Sequence, residues 1–248
     1  MDYLVYAYLQ SGWDEKAGEI LYEMNSLGTV PGLTATGNYA GSAIPARYAI
    51  ERQDWKAASR LQPDSSAVPW AQALTWEAIG EGAARSGDVH RAQEAEHRLG
   101  SLRDKTLDMH NTYWGNQIEV QRREVSAWIS QAAGDSESAL KTIRSAAELE
   151  ETMDKDAVTP GAVTPGREML AELLFMSNKA PDALEEYEAV LKVAPNRFNA
   201  LFGAASSAEA AGLKERASVY YRKLAEVAKN GHRPRLEAIR EKLIATAN

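Results

Sequence analysis

Two consecutive stretches decide the fold: TPGREMLAELLFMSNKAPDALEEYEAVLKVAPNR (residues 164–197) and FNALFGAASSAEAAGLKERASVYYRKLAEVA (residues 198–228). When the second is laid under the first with a step of 34 residues, a small residue, an aromatic residue and a helix-ending residue coincide. The equivalent pairs are Ala183 with Ala217, Tyr187 with Tyr221 and Asn178 with Gly212. This recurrence predicts two copies of one helical hairpin.

Earlier parts of the chain show the same order of turn glycine, small residue and large residue. The pattern predicts six helical units near residues 1–27, 38–62, 70–108, 110–155, 164–197 and 198–230, and a capping helix over 234–247. The predicted turn glycines are Gly12, Gly87, Gly134 and Gly212, and the acidic residues expected at the helix starts after them are Asp14, Asp88 and Asp135. No alternating β-branched run is bounded by hairpin turns, so we expect an all-α protein.

A 34-residue step with these small, aromatic and glycine positions resembles the tetratricopeptide repeat (TPR). The resemblance implies one domain over residues 1–248, a right-handed α-solenoid of about six TPR-like helical hairpins plus the C-terminal capping helix. Residues 1–10, 113–128, 158–173 and 194–205 also resemble the C-terminal half of large, uncharacterised bacterial TPR proteins. That resemblance implies no specific activity.

Three segments interrupt the repeat and are predicted to be loops because Gly and Pro punctuate them: residues 28–41, 61–69 and 156–166. The last contains Thr-Pro-Gly twice. The start of the chain is apolar at Tyr3, Leu4, Val5 and Tyr6, whereas a solenoid normally covers its terminal repeat. We therefore expect either that a longer protein precedes this segment or that a partner covers it.

Composition excludes several classes of function. The 248 residues carry 28 Lys and Arg against 35 Asp and Glu, a net charge of −7, which disfavours non-specific nucleic-acid binding. The chain has no Cys, so it has no disulfide, thiolate metal site or cysteine nucleophile. No apolar run approaches the ~18 residues of a membrane span. We expect a soluble protein of the bacterial cytoplasm or periplasm, the compartment itself being undetermined.

Catalytic and metal motifs are weak. His90, Glu94 and His97 share one helix face, but the repeat places them on the outer, convex side, where surface histidines are the simpler interpretation. Ser138 and Lys141 match a Ser-x-x-Lys string by coincidence, since the companion motifs of that enzyme class are absent. We therefore predict no catalytic residue, metal or cofactor, and hence no enzyme.

The inner, concave face of the repeat is the most informative surface, because peptides bind there in helical-repeat proteins. It is acidic, with interspersed aromatic residues, and Arg85 is its basic exception. The predicted partner-binding residues are Glu77, Glu81, Glu124, Trp128, Glu168, Glu172 and Phe202. Such a groove favours an extended basic segment, held by charge pairing and cation–π contacts.

The sequence therefore predicts a protein–protein interaction scaffold. Three alternatives remain open. In the first, the chain is the non-catalytic half of a larger enzyme or metal protein. In the second, it is a self-assembly module that forms homo-oligomers through its apolar N-terminal edge. The third is a small-molecule pocket between the superhelix and the Thr-Pro-Gly loops.

Overall fold

The computed structural model describes residues 1–27, 35–154 and 161–247, except for the side chains of residues 35, 36, 242 and 244–247. The described residues form thirteen helices and no β-strand, so the predicted all-α class is confirmed. The helices are α1 (Asp2–Gln10), α2 (Asp14–Ser26), α3 (Ala35–Glu51), α4 (Trp55–Ser59), α5 (Pro69–Ser86), α6 (Val89–Asp108), α7 (Thr112–Ala132), α8 (Ser136–Glu151), α9 (Gly166–Met176), α10 (Ala180–Val193), α11 (Phe198–Ala210), α12 (Lys214–Val227) and α13 (Pro234–Ala247). Within the described ranges, no helix is both long and apolar enough to cross a membrane.

The helices pack as successive pairs. α1 packs on α2, α3 on α4, and so on to α11 and α12, while α13 follows against α12. The first helices of neighbouring pairs also contact each other, from α1 and α3 through α5, α7 and α9 to α11. A helix pair cannot bury its apolar face alone, so stacking of neighbours creates the shared core of a helical-repeat fold.

Local turn chemistry follows the repeat pattern. The turn glycines Gly12, Gly87, Gly134 and Gly212 have φ between 69° and 87°, and Asn178 has φ 59° at the equivalent position. Asp88 and Asp135 cap α6 and α8 by accepting hydrogen bonds from backbone N–H groups at 3.0 Å. Asp14 differs, because its carboxylate pairs with Arg233 instead of capping α2.

The prediction of a loop over residues 28–41 is wrong for its second half. Residues 28–34 lie outside the described residues, but α3 already begins at Ala35. Tyr39, Ala43, Ala46 and Ile50 recur every three or four residues and are buried against α5, which outweighs the weak helix propensity of the glycines. The second predicted loop does connect α4 to α5, and residues 161–165 of the third lead into α9.

The first hairpin contacts the last. The backbone N–H of His232 donates to the carbonyl of Gly12 at 3.0 Å, and Phe198 N–H donates to the Gln10 side-chain oxygen at 2.8 Å. Arg233 donates to the Leu9 carbonyl at 3.0 Å and to Asp14 at 2.6 Å. The array of hairpins therefore closes upon itself.

Because the array closes, the chain itself covers part of the apolar N-terminal edge for which the sequence predicts a missing cover. Val5 and Leu9 are fully buried within the chain itself, packed with Ala17 and Ile44. Tyr3 and Leu4 remain 51% and 43% exposed.

Close helix crossing gives a first prediction, on Gly203 of α11. An added Cβ there would lie 2.1 Å from Cζ of the Tyr187 ring on α10, so we expect Gly203→Ala to lower the free energy of unfolding by about 2 kcal/mol through overpacking. Gly100→Ala is the matched control, because the nearest atom, on Arg122, is 3.7 Å away. It should raise stability by about 0.5–1 kcal/mol through helix propensity. Urea unfolding of both variants measures the difference, and equal effects would contradict the proposed crossing.

Candidate functional site

Glutamates of the inner helices α5, α7 and α9 face the centre of the closed array. Glu77, Glu81, Glu124 and Glu168 are only 2–5% exposed. The sequence analysis places these residues in an acidic concave groove. In the structure they are buried, because the first and last hairpins meet and the inner face encloses an interior.

Arg85 fills one part of this interior. Its guanidinium lies between the Trp55 and Trp128 rings, 3.7 Å and 4.0 Å from their centroids. It donates to Glu81 at 3.1 Å and to Glu172 at 2.9 Å. Three of the predicted partner-binding residues, Glu81, Trp128 and Glu172, are thus engaged within the chain by the basic exception on their own face.

Arg197 engages another predicted residue, Glu168. The guanidinium donates to Glu168 at 3.1 Å and pairs with Glu51 at 2.8 Å, all three groups being buried. Burial raises the pKa of Glu168 to about 7 although Arg197 acts to lower it. Phe202, the fifth of the seven predicted residues, has its ring 4.9 Å from the Arg235 guanidinium.

The two remaining predicted residues, Glu77 and Glu124, line a cavity of about 660 Å³. It lies between α5, α7, the end of α8 and residues 161–165, with α1 and α10 at its side. Gly161, Ala162 and Pro165 belong to its wall. The cavity therefore occupies the place next to the Thr-Pro-Gly segment.

Aromatic rings form one wall of the cavity, centred on Trp114. Trp70 stacks on Trp114 with ring centroids 6.0 Å apart, and Tyr39 and Tyr113 contact the same indole at 5.6 Å and 5.1 Å. Tyr6 lines the cavity nearby, under the Arg47 guanidinium. Rings held in this way present a fixed apolar surface with a negative π-face.

The cavity lining also includes carboxylates that lack a cationic partner. Glu77 Oε2 and Glu124 Oε1 are buried and accept no hydrogen bond from the described residues. Glu150 accepts the Gly166 backbone N–H at 2.7 Å. Within the described ranges, no Lys or Arg forms an ion pair with any of the three. A concentration of buried, unpaired carboxylates is costly unless they are protonated or meet a cation.

The pKa values reflect this cost. Burial, reinforced by the Glu81 charge, raises the pKa of Glu77 to about 8. Burial and the Glu77 charge raise the pKa of Glu124 well above its ordinary value, and burial also raises that of Glu150. Perturbed carboxylates beside a cavity mark a candidate functional site.

Arg47 is the nearby cation, but its donors are directed elsewhere. It donates to Asp2 at 3.2 Å and to the carbonyls of Ala162 and Gly161 at 3.1 Å and 3.2 Å. It therefore anchors the cavity wall. A hydrogen bond from the Gln121 side chain lowers the pKa of Glu77, and the more distant Arg47 charge lowers it to a smaller extent.

Sequence reasoning missed the aromatic wall and Glu150. Trp70 and Trp114 pack against a core cluster and also face the cavity, and nothing in their sequence spacing separates these two roles. Glu150 lies at the end of a second helix, a position that the inner-face rule does not select. A signal was present, because α8 ends with Glu148, Glu150 and Glu151 and has no basic residue in its last turn.

His90, Glu94 and His97 are exposed, as their convex placement predicts. Among the described residues, no group of three His, Cys, Asp or Glu side chains is arranged to hold a metal ion.

No protein-family model and no curated protein matches this chain. The fold and the cavity define it as an all-α, helical-repeat protein with an internal acidic and aromatic site.

The raised pKa of Glu77 generates a prediction about stability. The folded protein retains this proton up to about pH 8, whereas the unfolded chain loses it near 4.3, so folding stability should fall as pH rises between these values. We expect Glu77→Gln to stabilise the protein by about 4 kcal/mol more at about pH 9 than at about pH 5.

Urea unfolding at the two pH values measures this effect. Glu148→Gln on exposed α8 surface removes the same charge and serves as control. A stability difference for Glu77→Gln that does not change with pH would contradict the assignment.

Proposed function

We propose that the protein is a TPR-like binding protein, not an enzyme, and that its internal cavity receives a positively charged organic group. Support for the TPR-like class comes from the 34-residue step, the paired helices and the left-handed turns. The equivalent small residues Ala183 and Ala217 are 0% and 4% exposed, as the packing positions of such a repeat require.

One observation carries the choice of ligand: Glu77 and Glu124 each have a buried carboxylate oxygen without a hydrogen-bond donor, in a cavity walled by tryptophan and tyrosine. An ammonium group would pair with these carboxylates, and its carbon substituents would pack on the rings through apolar and cation–π contacts. The cavity volume lies within the usual range for small-molecule sites of about 300–1,000 Å³. A small organic cation is therefore the primary candidate ligand.

A basic side chain of a partner protein is the second candidate, and the rim favours it. Tyr3 and Val193 line the cavity opening and are 51% and 88% exposed. An extended segment could cover both side chains while its Lys or Arg enters the cavity. This candidate preserves the scaffold function predicted from the sequence and moves its site from a groove to a cavity.

Direct binding of benzyltrimethylammonium tests the proposal, with benzyl alcohol as neutral control. We expect saturable binding with a change in tryptophan fluorescence, because Trp70 and Trp114 form the wall. Glu124→Gln should weaken binding about tenfold or more, since it removes a buried ionic partner, while Glu148→Gln should leave it unchanged.

The outcomes separate the two candidates. A lysine peptide with apolar flanking residues that binds about tenfold more tightly than the free cation would favour the partner segment. If neither the cation nor the peptide binds, or if the alcohol binds equally well, the proposed function is wrong.

The pH dependence of binding is a further prediction. Benzyltrimethylammonium keeps its charge at every pH, whereas Glu77 must release a proton before it can pair with a cation. Because burial raises the pKa of Glu77 to about 8, affinity should rise about tenfold or more between about pH 6 and pH 9. Calorimetric titration in buffers of different ionisation enthalpy measures the released proton, and an affinity independent of pH would contradict the role of Glu77.

A further inference from the structure

Three hydrogen-bond acceptors in the cavity lining are unused, and they narrow the class of cation that the site takes. They are Glu77 Oε2, Glu124 Oε1 and Gln121 Oε1, each buried and each without a hydrogen bond within the ranges that the structure describes. A buried acceptor that has lost its water is unfavourable until a donor reaches it. The three oxygens therefore favour a ligand that carries hydrogen-bond donors, an inference that rests on the proposed function.

The three side chains belong to one cluster. The Gln121 side chain hydrogen-bonds to Glu77, and the Glu77 charge acts on Glu124 and raises its pKa. Gln121 and Glu124 are three residues apart on α7, so they are neighbours on one face of that helix. These relations place the side chains together, and we expect a single cationic group to meet all three oxygens.

The orientation of the Gln121 amide follows from its hydrogen bond to Glu77. A carboxylate oxygen only accepts hydrogen bonds, so the Gln121 nitrogen is the atom that donates to it. The amide oxygen is left for another donor, and this oxygen is the buried, unpartnered atom of the side chain. Gln121 thus adds a third acceptor to the cavity without adding negative charge.

Organic cations differ in how many of these acceptors they satisfy. A primary ammonium group carries three N–H donors, as many as there are unpartnered oxygens. A quaternary ammonium group carries none and leaves all three oxygens without a hydrogen bond. The Trp70 and Trp114 rings attract either cation through apolar and cation–π contacts, so the aromatic wall does not distinguish the two.

We propose that the cavity selects a primary ammonium group attached to an apolar chain or ring, and that Gln121 is a specificity-determining residue of the site. The three N–H groups donate to Glu77 Oε2, Glu124 Oε1 and Gln121 Oε1. A site built for N–H donors rejects an analogue that lacks them, because its buried acceptors then stay unpaired. A free amine and the lysine side chain of a partner segment share this chemistry.

Calorimetric titration of the full chain at neutral pH with three related cations tests the proposal. Benzylamine, N,N-dimethylbenzylamine and benzyltrimethylammonium share one ring and one positive charge, and they carry three, one and no N–H groups. We expect affinity to fall in that order, with benzylamine bound about tenfold or more tightly than the quaternary cation. This comparison needs no variant of the protein.

A pair of peptides separates the two sources of the ammonium group. One peptide carries a lysine between apolar residues, and the other is identical except that the lysine is trimethylated. A partner segment would show the same preference for the unmodified form and would bind about tenfold more tightly than benzylamine. A free amine as natural ligand would leave both peptides weaker than benzylamine.

Substitution of Gln121 locates the selectivity. Gln121→Met keeps the length of the side chain and removes its amide, so it should lower the preference for benzylamine over benzyltrimethylammonium at least about threefold. Gln131→Met is the matched control, because Gln131 lies on the same helix and also has a buried, unpartnered amide oxygen but is outside the cavity lining. It should leave the preference unaltered. Binding of the quaternary cation shows that each variant is folded.

The outcomes separate this inference from the proposed function. Equal affinities for benzylamine and benzyltrimethylammonium, or tighter binding of the quaternary cation, overturn the inference but leave the cation site standing. A preference lowered equally by Gln121→Met and Gln131→Met also overturns it, because the selectivity would then not arise from the cavity acceptors. Absence of binding by all three cations and both peptides overturns the cation site itself.

Discussion

Contact between the first and last hairpins determines the rest of this structure. Arg233 makes much of it, through Asp14 and the Leu9 carbonyl, and Arg197 adds an ion pair from the last hairpin to Glu51 of α3. Because the ends meet, the inner faces of α5, α7 and α9 enclose a volume and not an open groove. Their carboxylates are thereby removed from water, and each must pair with a cation or hold a proton.

Arginine side chains pair with the carboxylates in one part of the interior but not with those in the other part. Glu81 and Glu172 share Arg85, whose guanidinium is enclosed by two indole rings. On the other side, Glu77 and Glu124 face a cavity, and the described residues supply neither of them with an ion pair. A buried ion pair stabilises a protein little more than apolar residues of the same volume would. We therefore interpret the arginines as groups that fill one half of the interior and hold its carboxylates in place. The unfilled half contains the candidate site.

Local sequence patterns predict the helices well, because turn glycines, caps and apolar spacing act over a few residues. Gly87, Asp88 and the inward position of Glu77 follow from such patterns. Closure does not, since Arg233 and Asp14 are separated by 219 residues and no periodicity links them. The beginning of α3 was missed for a related reason: burial of Tyr39 against α5 overrides its local glycine content. The aromatic wall depends both on closure of the array and on packing between helices that are distant in the sequence. Local sequence patterns therefore do not predict it.

In the proposed function, protons and organic cations compete for the same buried carboxylates. As pH rises, the empty cavity gains uncompensated negative charge and the folded state loses stability, while its attraction for a cation increases. The two responses therefore have opposite signs and a common origin in Glu77, Glu124 and Glu150. Carboxylates retained only to specify the fold would show the first response without the second. The coupling between them thus distinguishes a ligand site from a structural cluster, even before the natural ligand is identified.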